Sequence, residues 1–584
     1  MTESSRLHSQ EMRWGPEVDP LRIGCGWSPE DLGKPWLLVE SSAGESHPGS
    51  VHLGELSGLV REGAREAGLA VGRYCCTDTC DGIAQGTEAM GYSLPSRELM
   101  SMAAELHFVS GHFDGWVAVS GCDKAIPAHL LAAARLDQPA AFLPGGVMHT
   151  GPGDISVDRM GELYARLKRG EISEETYRYH SLTAAPCAGA CNFLGTAVTM
   201  QIMTEALGLA LPATACCPTT AAEQEDLARQ TGAAASRLID KGTTAGEIIT
   251  ARSLRNALIV HAAIGGSSNA MLHLPALAEE LDIEFSWRQV REVNDLVPWI
   301  LNLRPSGQHT ADLFWYAGGV PRLMWEIRGY LDLDVPTVTG APLGDNLERL
   351  KADGFFSEQP RLLENHGLGV DDIIRPVDRP LNPRGSLAVL KGNLARLAVA
   401  KRSAVAPAMM DFTGRARVFD GQQAALEAVL AGAIKPGDAI VVRYEGPRAT
   451  GMPEMFYLTA ALASEAALTE GAALITDGRF SGATRGPCVG HVCPEAAESG
   501  PIAAVRDGDL IHIDLKSGLI ELEGTERGPL NPEAMAAEIS ERLSLLPPWQ
   551  APQRSGLLRL YTGLAGPADE GALMRPPGGS ADSR

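Results

Sequence analysis

The chain has 584 residues, 45% of them hydrophobic and 21% charged, with a formal net charge of −22. This is the balance of a folded globular protein of roughly two to four domains, and it argues against disorder. Such acidity also argues against a nucleic-acid or anionic-membrane partner. An anionic substrate would have to be held by a local exception, such as a metal ion, a helix N-terminus or a few basic side chains.

Residues 1–30 read as a surface lead-in without the apolar stretch of a signal peptide. The longest apolar runs, such as 257–264, are too short to span a bilayer. A cytoplasmic protein is expected, with its 11 cysteines serving as core thiols, catalytic thiols or metal ligands rather than disulfides. Trp36 to Val39 predicts a buried strand, and Leu53, Leu56, Leu59, Val60, Ala64 and Ala67 follow at helical spacing. Trp116 to Val119 predicts a second strand, 120–124 its loop, Ile126 to Leu136 a helix, and Ala140 to Leu143 a third strand ending in Pro144-Gly-Gly146. Strand, glycine-rich loop, helix, strand is the grammar of a parallel α/β sheet. Ligands of such sheets sit beyond the carboxyl ends of the strands, which makes 120–124 a prime location. Helices are predicted over 197–209, 221–241 and 254–264, the last running into Gly265-Gly-Ser-Ser-Asn269.

Residues 340–390 are rich in loops and prolines and mark a boundary, which gives a three-layer α/β domain over 31–375. Beyond it, 438–444, 472–476 and 501–505 predict strands. Asp509 to Leu515 and Leu519 to Glu523, joined by Lys516-Ser-Gly518, predict a hairpin with period-two alternation. A β-rich, barrel-like (swivelling) domain is expected over 376–565. It includes a helix over 532–546, capped by Asn531 with Pro532 in its first position. Residues 566–584 are expected to be a mobile tail.

Cys, Asp, Glu, Lys and Ser concentrate in glycine-rich segments at 75–86, 121–124, 187–196 and 476–484, with Tyr444 to Met455 between the last two. The pairs Cys80-Asp81 and Cys122-Asp123 set a soft thiolate beside a hard carboxylate. Thiolates suit zinc or iron–sulfur, and carboxylates suit Mg²⁺. Cys80, Cys122 and Cys191 lie far apart, so spacing alone leaves incidental thiols, zinc and an iron–sulfur site all open. Cys76 and Cys187 are substitute ligands in that reading, and Cys25, Cys488 and Cys493 are ordinary thiols. Likewise Lys124 reads as a solvated lysine or a site lysine, Ser481 as a turn residue or a base, and Glu454 as a loop carboxylate or a ligand.

Taken together, Cys80 to Gly86, Tyr92 to Glu98, Gly121 to Lys124, Gly189-Ala-Cys191, Gly265 to Asn269, Tyr444 to Pro447, Gly451 to Met455 and Ile475 to Thr484 resemble, in this order, the dihydroxy-acid and sugar-acid dehydratase family, which includes phosphogluconate dehydratase. The resemblance spans about residues 30–545. It implies an N-terminal α/β domain, a C-terminal β-barrel domain and a homodimer or homotetramer. It also implies an iron–sulfur cluster acting as a Lewis acid beside Mg²⁺. By motif, Cys122 and Cys191 match cluster ligands, and Asp81, Asp123 and Glu454 match Mg²⁺ ligands. Lys124 matches a lysine that some members carry as a Mg²⁺-bound carbamate, and Ser481 matches the catalytic base. Arg97 and Arg479 are candidates to hold the substrate.

One departure stands out. Members with a [2Fe–2S] cluster often carry Cys in an early Asn-Pro-Cys-like segment, and here that segment reads Ser46-His-Pro-Gly-Ser50. Gly49 cannot ligate iron, and Cys80 is the natural replacement. The change favours [4Fe–4S] over [2Fe–2S]. The implied reaction dehydrates a 2,3-dihydroxy acid. Ser481 removes the C2 proton, a cluster iron activates the 3-hydroxyl, and a 2-keto-3-deoxy acid results. The departures at Gly49, at Cys80 and across Gly392 to Lys401 favour an aldonic (sugar) acid. The alternatives are the dihydroxy acid of branched-chain amino-acid biosynthesis and, from another class, a non-catalytic iron–sulfur sensor.

Overall fold

The computed structural model describes residue 9 and residues 15–481 and 486–575. The first part is built on β1 (Trp36–Ser41), β2 (Ala70–Cys75), β3 (Gly115–Ser120) and β4 (Ala140–Pro144), all parallel in the order β2-β1-β3-β4. Residues such as Leu37, Val39, Trp116 and Val117 are shut away from solvent on both sides of the sheet. That is why these strands read as unbroken apolar runs. Helix Leu53–Glu66 joins β1 to β2 and packs against Glu223–Lys241, while Ser93–Ser110 and Ala125–Leu136, which lie between β2 and β3 and between β3 and β4, pack against each other. Leu53, Leu56 and Val60 are fully or almost fully buried in the process, and each such side chain contributes roughly 1.5–3 kcal/mol. Helices Thr196–Ala206, Glu223–Lys241, Ala251–Ile264 and Ala270–Glu280 complete this core.

The last third is a nine-stranded mixed sheet in the order β13-β12-β11-β7-β8-β9-β10-β6-β5. Its strands are β5 (Leu387–Leu390), β6 (Leu397–Lys401), β7 (Asp411–Asp420), β8 (Asp438–Arg443), β9 (Ala473–Thr476), β10 (Cys488–Cys493), β11 (Leu510–Asp514), β12 (Leu519–Thr525) and β13 (Gly528–Pro529). The sheet curls until Lys391, just past β5, takes backbone hydrogen bonds with Gly518 and Ile520 of the hairpin. A Cβ on Gly392 would meet the Ile520 carbonyl at 2.0 Å, so this seam closes only around glycine. Val441, Ile475, Val489, Ile511 and Ile520 fill the interior.

Most predicted elements are present, the hairpin and the Asn531-capped helix Pro532–Ser544 among them; the Asn531 side chain accepts from the Ala534 amide at 2.8 Å. The predicted strand at 501–505 is instead a 3₁₀ turn, Pro501–Ala504, with Pro501 at its first position. The expected mobile tail is also corrected in part. Ala568, Ala572 and Leu573 are buried, and Arg97 donates to the carbonyls of Gly571 and Ala572 at 2.8 and 3.2 Å. Residues 576–584 of that expectation, and most of 1–14 of the lead-in, lie outside the described residues. No described helix is long and apolar enough to cross a membrane.

Candidate active site

The thiol-bearing loops leave the carboxyl ends of the parallel strands. Cys80 and Asp81 follow β2, and Asp81 opens the single helical turn Asp81–Ala84. Cys122, Asp123 and Lys124 follow β3 and lead into helix Ala125–Leu136. Cys191 follows Ala190, which bridges to Val147 just past β4. The Asp78 carboxylate fixes this end of the sheet by accepting from the amides of Lys124 and Ala125 at 3.2 and 3.0 Å.

The barrel supplies the opposing wall in the same way. Glu454 lies beyond β8 and Arg479 beyond β9, and the two residues form a parallel bridge. Asp477 braces these loops by accepting from the amides of Tyr444, Glu445 and Ala496.

Between the two walls, Asp81, Asp123 and Glu454 each present an oxygen, and these oxygens lie within 4.8 Å of one another. Lys124 Nζ donates to Asp81 at 3.1 Å and more closely to Asp123. Arg479 donates to Glu454 at 2.6 Å, to Asp81 at 3.3 Å and to the Met452 carbonyl at 2.7 Å. Gln85 and Asn269 complete the shell of Glu454 at 2.9 and 2.7 Å, and Ser93 donates to Asp81 at 2.5 Å.

Burial opposes the Asp81 charge, but Lys124 and Arg479 outweigh it and hold that carboxyl below its ordinary value. Burial, reinforced by Asp81, pushes Asp123 up, and burial brings Glu454 up to about 7. Burial and Arg479 oppose the Lys124 charge, and the three carboxylates overcome them and raise it. Three carboxylates converging on one point, with Lys124 and Arg479 the cations among them in the described residues, form an all-oxygen donor set of the kind that suits Mg²⁺.

On the other side of Asp81, the Cys80 and Cys122 thiols meet. The hydrogen bond from Cys122 lowers Cys80 to about 7, and the same contact raises Cys122. Cys191 is close enough to feel the Cys80 charge and is pushed up to about 12, mainly by burial. Gly49 faces this group: a Cβ there would lie 3.1 Å from Cys122 Sγ and 3.3 Å from His47 Nδ1. Two thiols in contact with a third within electrostatic reach of both fit the ligand set of an iron–sulfur cluster, and a residue-49 side chain would point at Cys122.

The structure therefore brings together Cys80, Cys122, Cys191, Asp81, Asp123, Lys124 and Glu454. Ser481 lies at the rim, lining a cavity with Ser267, Ser268, Val399, Lys401 and Phe480. Residues 482–484 of its motif lie outside the described residues.

The two arginines read as substrate-holding candidates have other employment. Arg97 is fully buried and binds Glu98, His273 and the backbone at Gly571 and Ala572, so it straps the C-terminal segment down. The Arg479 guanidinium is engaged with Glu454, Asp81, Ser93 and Met452, so it supports the carboxylates. Sequence reasoning missed Ser93, Gln85, Asn269, Asp78 and Lys401. All five lie inside segments already singled out, but what each side chain meets depends on tertiary packing.

Comparison with known proteins agrees with this geometry. The dihydroxy-acid/6-phosphogluconate dehydratase N-terminal family matches residues 34–346, and the corresponding C-terminal family matches 372–572. A dihydroxy-acid dehydratase of Caldicellulosiruptor bescii is 39% identical over 578 residues, covering 97% of this chain and 100% of the relative. Dihydroxy-acid dehydratase 1 of Methanosarcina acetivorans is 41% identical over 529 residues, covering 89% of this chain and 93% of the relative. With both family halves present in order and full-length relatives at this identity, the chain belongs to the dihydroxy-acid/6-phosphogluconate dehydratase family and is a hydro-lyase.

Proposed function

We propose that this enzyme dehydrates a branched-chain 2,3-dihydroxy acid to its 2-keto acid, in place of the aldonic acid expected from the sequence. The observation that carries the reaction is the convergence of Asp81, Asp123 and Glu454 beside the cavity that Ser481 lines. Full-length relatives named dihydroxy-acid dehydratase support the substrate. So do the apolar walls Val399, Ala404 and Phe480, which suit an alkyl group. The Ser267 and Ser268 hydroxyls in the same cavity favour the aldonic acid as the second reading. Membership of an enzyme family sets the sensor reading aside.

In this proposal Asp81, Asp123 and Glu454 hold Mg²⁺. Lys124 joins them as a carbamate, formed when its amine takes up CO₂ and releases a proton. Cys80, Cys122 and Cys191 hold the cluster, for which [4Fe–4S] is preferred. When bound, the two groups supply Lewis acidity to the substrate's carboxylate and hydroxyls. Ser481 Oγ takes the C2 proton. Arg479, Gln85 and Asn269 hold the carboxylates still, so that charge developing on the substrate meets a fixed environment. A homodimer or homotetramer belongs to the same proposal and is read by light scattering.

The test is anaerobic purification and a 2-keto-acid assay with Mg²⁺ over 2,3-dihydroxyisovalerate, several pentonates and hexonates, and 6-phosphogluconate. Preference for dihydroxyisovalerate is the expected result. Preference for an aldonate would replace the first reading by the second.

A further inference from the structure

Helix Ser93–Ser110 has an outer face that does not suit water. Its exposed residues are Leu99, Met102, Leu106, Val109 and Ser110, and none of them is charged. The first four are 46%, 39%, 63% and 53% exposed. They follow one another at intervals of three, four and three positions, which sets them on one stripe at the spacing of a coiled-coil seam. A helix that meets only solvent carries polar and charged residues on its outer face. Helix Leu53–Glu66, which packs on the same sheet, does so with Glu55, Glu62, Arg65 and Glu66. Tyr74 of β2 widens the apolar surface: it is 44% exposed and stacks on His107, at the flank of the stripe, with ring centroids 4.4 Å apart.

We propose that this stripe is the two-fold interface of the homo-oligomer, with the same helix of a second copy lying antiparallel across it. The assignment rests on the homo-oligomer proposed above and names its contact face. The spacing selects a second copy. Reversed about Ala104, Leu99 of one protomer meets Val109 of its partner, and Met102 meets Leu106, so the stripe matches itself as an isologous contact requires. Charge points the same way. Two chains of −22 repel across most of their surfaces, and the exposed residues of this helix bring none of that charge to the contact. Its flanks hold Glu105 and His107, both partly buried, and His107 is already engaged with Glu40 at 3.0 Å. The size also agrees. Four half-exposed side chains and Tyr74 give an apolar patch of a few hundred Å², which on a soluble protein marks an association site. A stable interface buries roughly 800 Å² per partner, so the stripe is its apolar centre and the surrounding polar surface its rim.

The test is the mass of the full-length, cluster-loaded protein by sedimentation velocity over about 0.5–50 µM, since association depends on protomer concentration. Far-UV circular dichroism and iron content are recorded for every variant. Leu99→Lys and Val109→Glu, each alone, should weaken self-association by about 100-fold or more and halve the mass at the low end of that range. Leu99→Lys combined with Val109→Glu should restore the wild-type mass, because the two introduced charges are opposite and face each other across the two-fold. A segment of the same chain or a foreign protein seated on the stripe would be lost with either variant and not regained with both. A wild-type oligomer whose mass neither single variant changes would overturn the assignment of this face and leave the oligomer standing. Loss of mass without rescue by the double variant would overturn the antiparallel pairing, and the assignment with it. A wild type that stays monomeric throughout would overturn both. Should the charged variants misfold by circular dichroism, Met102→Gln combined with Leu106→Gln decides: a halved mass supports the face and an unchanged mass overturns it.

Discussion

In the four-stranded sheet, the residues that follow β2 and β3 are Cys80, Asp81, Cys122 and Asp123. In the barrel, those that follow β8 and β9 are Glu454, Arg479 and Ser481. Both folds present chemistry at the carboxyl ends of parallel strands, where loops have freedom to vary. They differ in what they present. The sheet end offers soft thiols and hard carboxylates. The barrel end offers a cation, a hydroxyl and one more carboxylate. Hydrogen bonds from Gln85 and Asn269 to Glu454, and from Arg479 to Asp81, cross between them. Neither end is complete alone: the sheet holds two of the three clustered carboxylates, and the barrel holds the third together with the Arg479 guanidinium.

The largest effect should come from removing the barrel's hydroxyl. Ser481→Ala is expected to lower kcat by about 10²–10⁴-fold while iron content and visible spectrum stay at wild-type values. Loss of the spectrum would mean that the barrel end also supports the thiol end. The division of labour is sharpened by moving a thiol. Cys80→Ser should lose iron and visible absorbance, and Gly49→Cys in the same chain should restore them, because a side chain at 49 points at Cys122 Sγ. Iron per chain is the readout, and an unchanged Cys80→Ser would take Cys80 out of the ligand set. Weakening one crossing bond should cost less. Asn269→Ala is expected to reduce Mg²⁺ affinity by about 10–100-fold, read from Mg²⁺ titration of activity, as for other groups that orient a ligand.

Two further changes should touch stability more than chemistry. Arg97→Met leaves Glu98 buried with less compensation and should cost about 3–5 kcal/mol of stability by denaturant melt, with a far smaller loss of kcat/KM than Ser481→Ala. Glu205 tests a carboxyl remote from both ends. Burial raises it to about 8 even though the Ala213 and Ala215 amides donate to it. The folded protein therefore binds more protons than the unfolded chain between the ordinary glutamate value and about 8. Stability should fall as pH rises through that window, and Glu205→Gln should flatten the slope.

Local patterns carried much of this structure. Trp36 to Val39 and Trp116 to Val119 were readable because a sheet covered on both faces needs unbroken apolar strands. The hairpin was readable because Ile511, Ile513, Ile520 and Leu522 alternate with polar residues around Ser517-Gly518. β7 was missed because two of its inward positions are Gly414 and Ala416, too small to register as an apolar stripe. The segment 501–505 misled for the opposite reason: it is apolar and buried, but Pro501 starts a tight turn. At the site, residue types grouped within one loop were legible, as at Cys80-Asp81 and Gly121 to Lys124. Long-range pairings were not. Nothing within the segments at Arg97 and 571–572 shows that one straps the other, and the buried Nζ of Lys401 exists only once β6 lies beside the 480–481 loop.

The sewing of the two ends across the chain also sets a timetable for biosynthesis. Arg479 follows Asp81 by 398 residues. At about 5–20 residues per second, a ribosome has made the sheet end roughly 20–80 s before the residue that neutralises it emerges. During that interval the nascent chain displays thiols and carboxylates to the cell with no barrel over them, open to oxidants and to competing metals. If these thiols and carboxylates hold the groups proposed above, loading is a problem of timing as much as of affinity, and slow translation or oxidative stress should yield full-length chains carrying the wrong cargo.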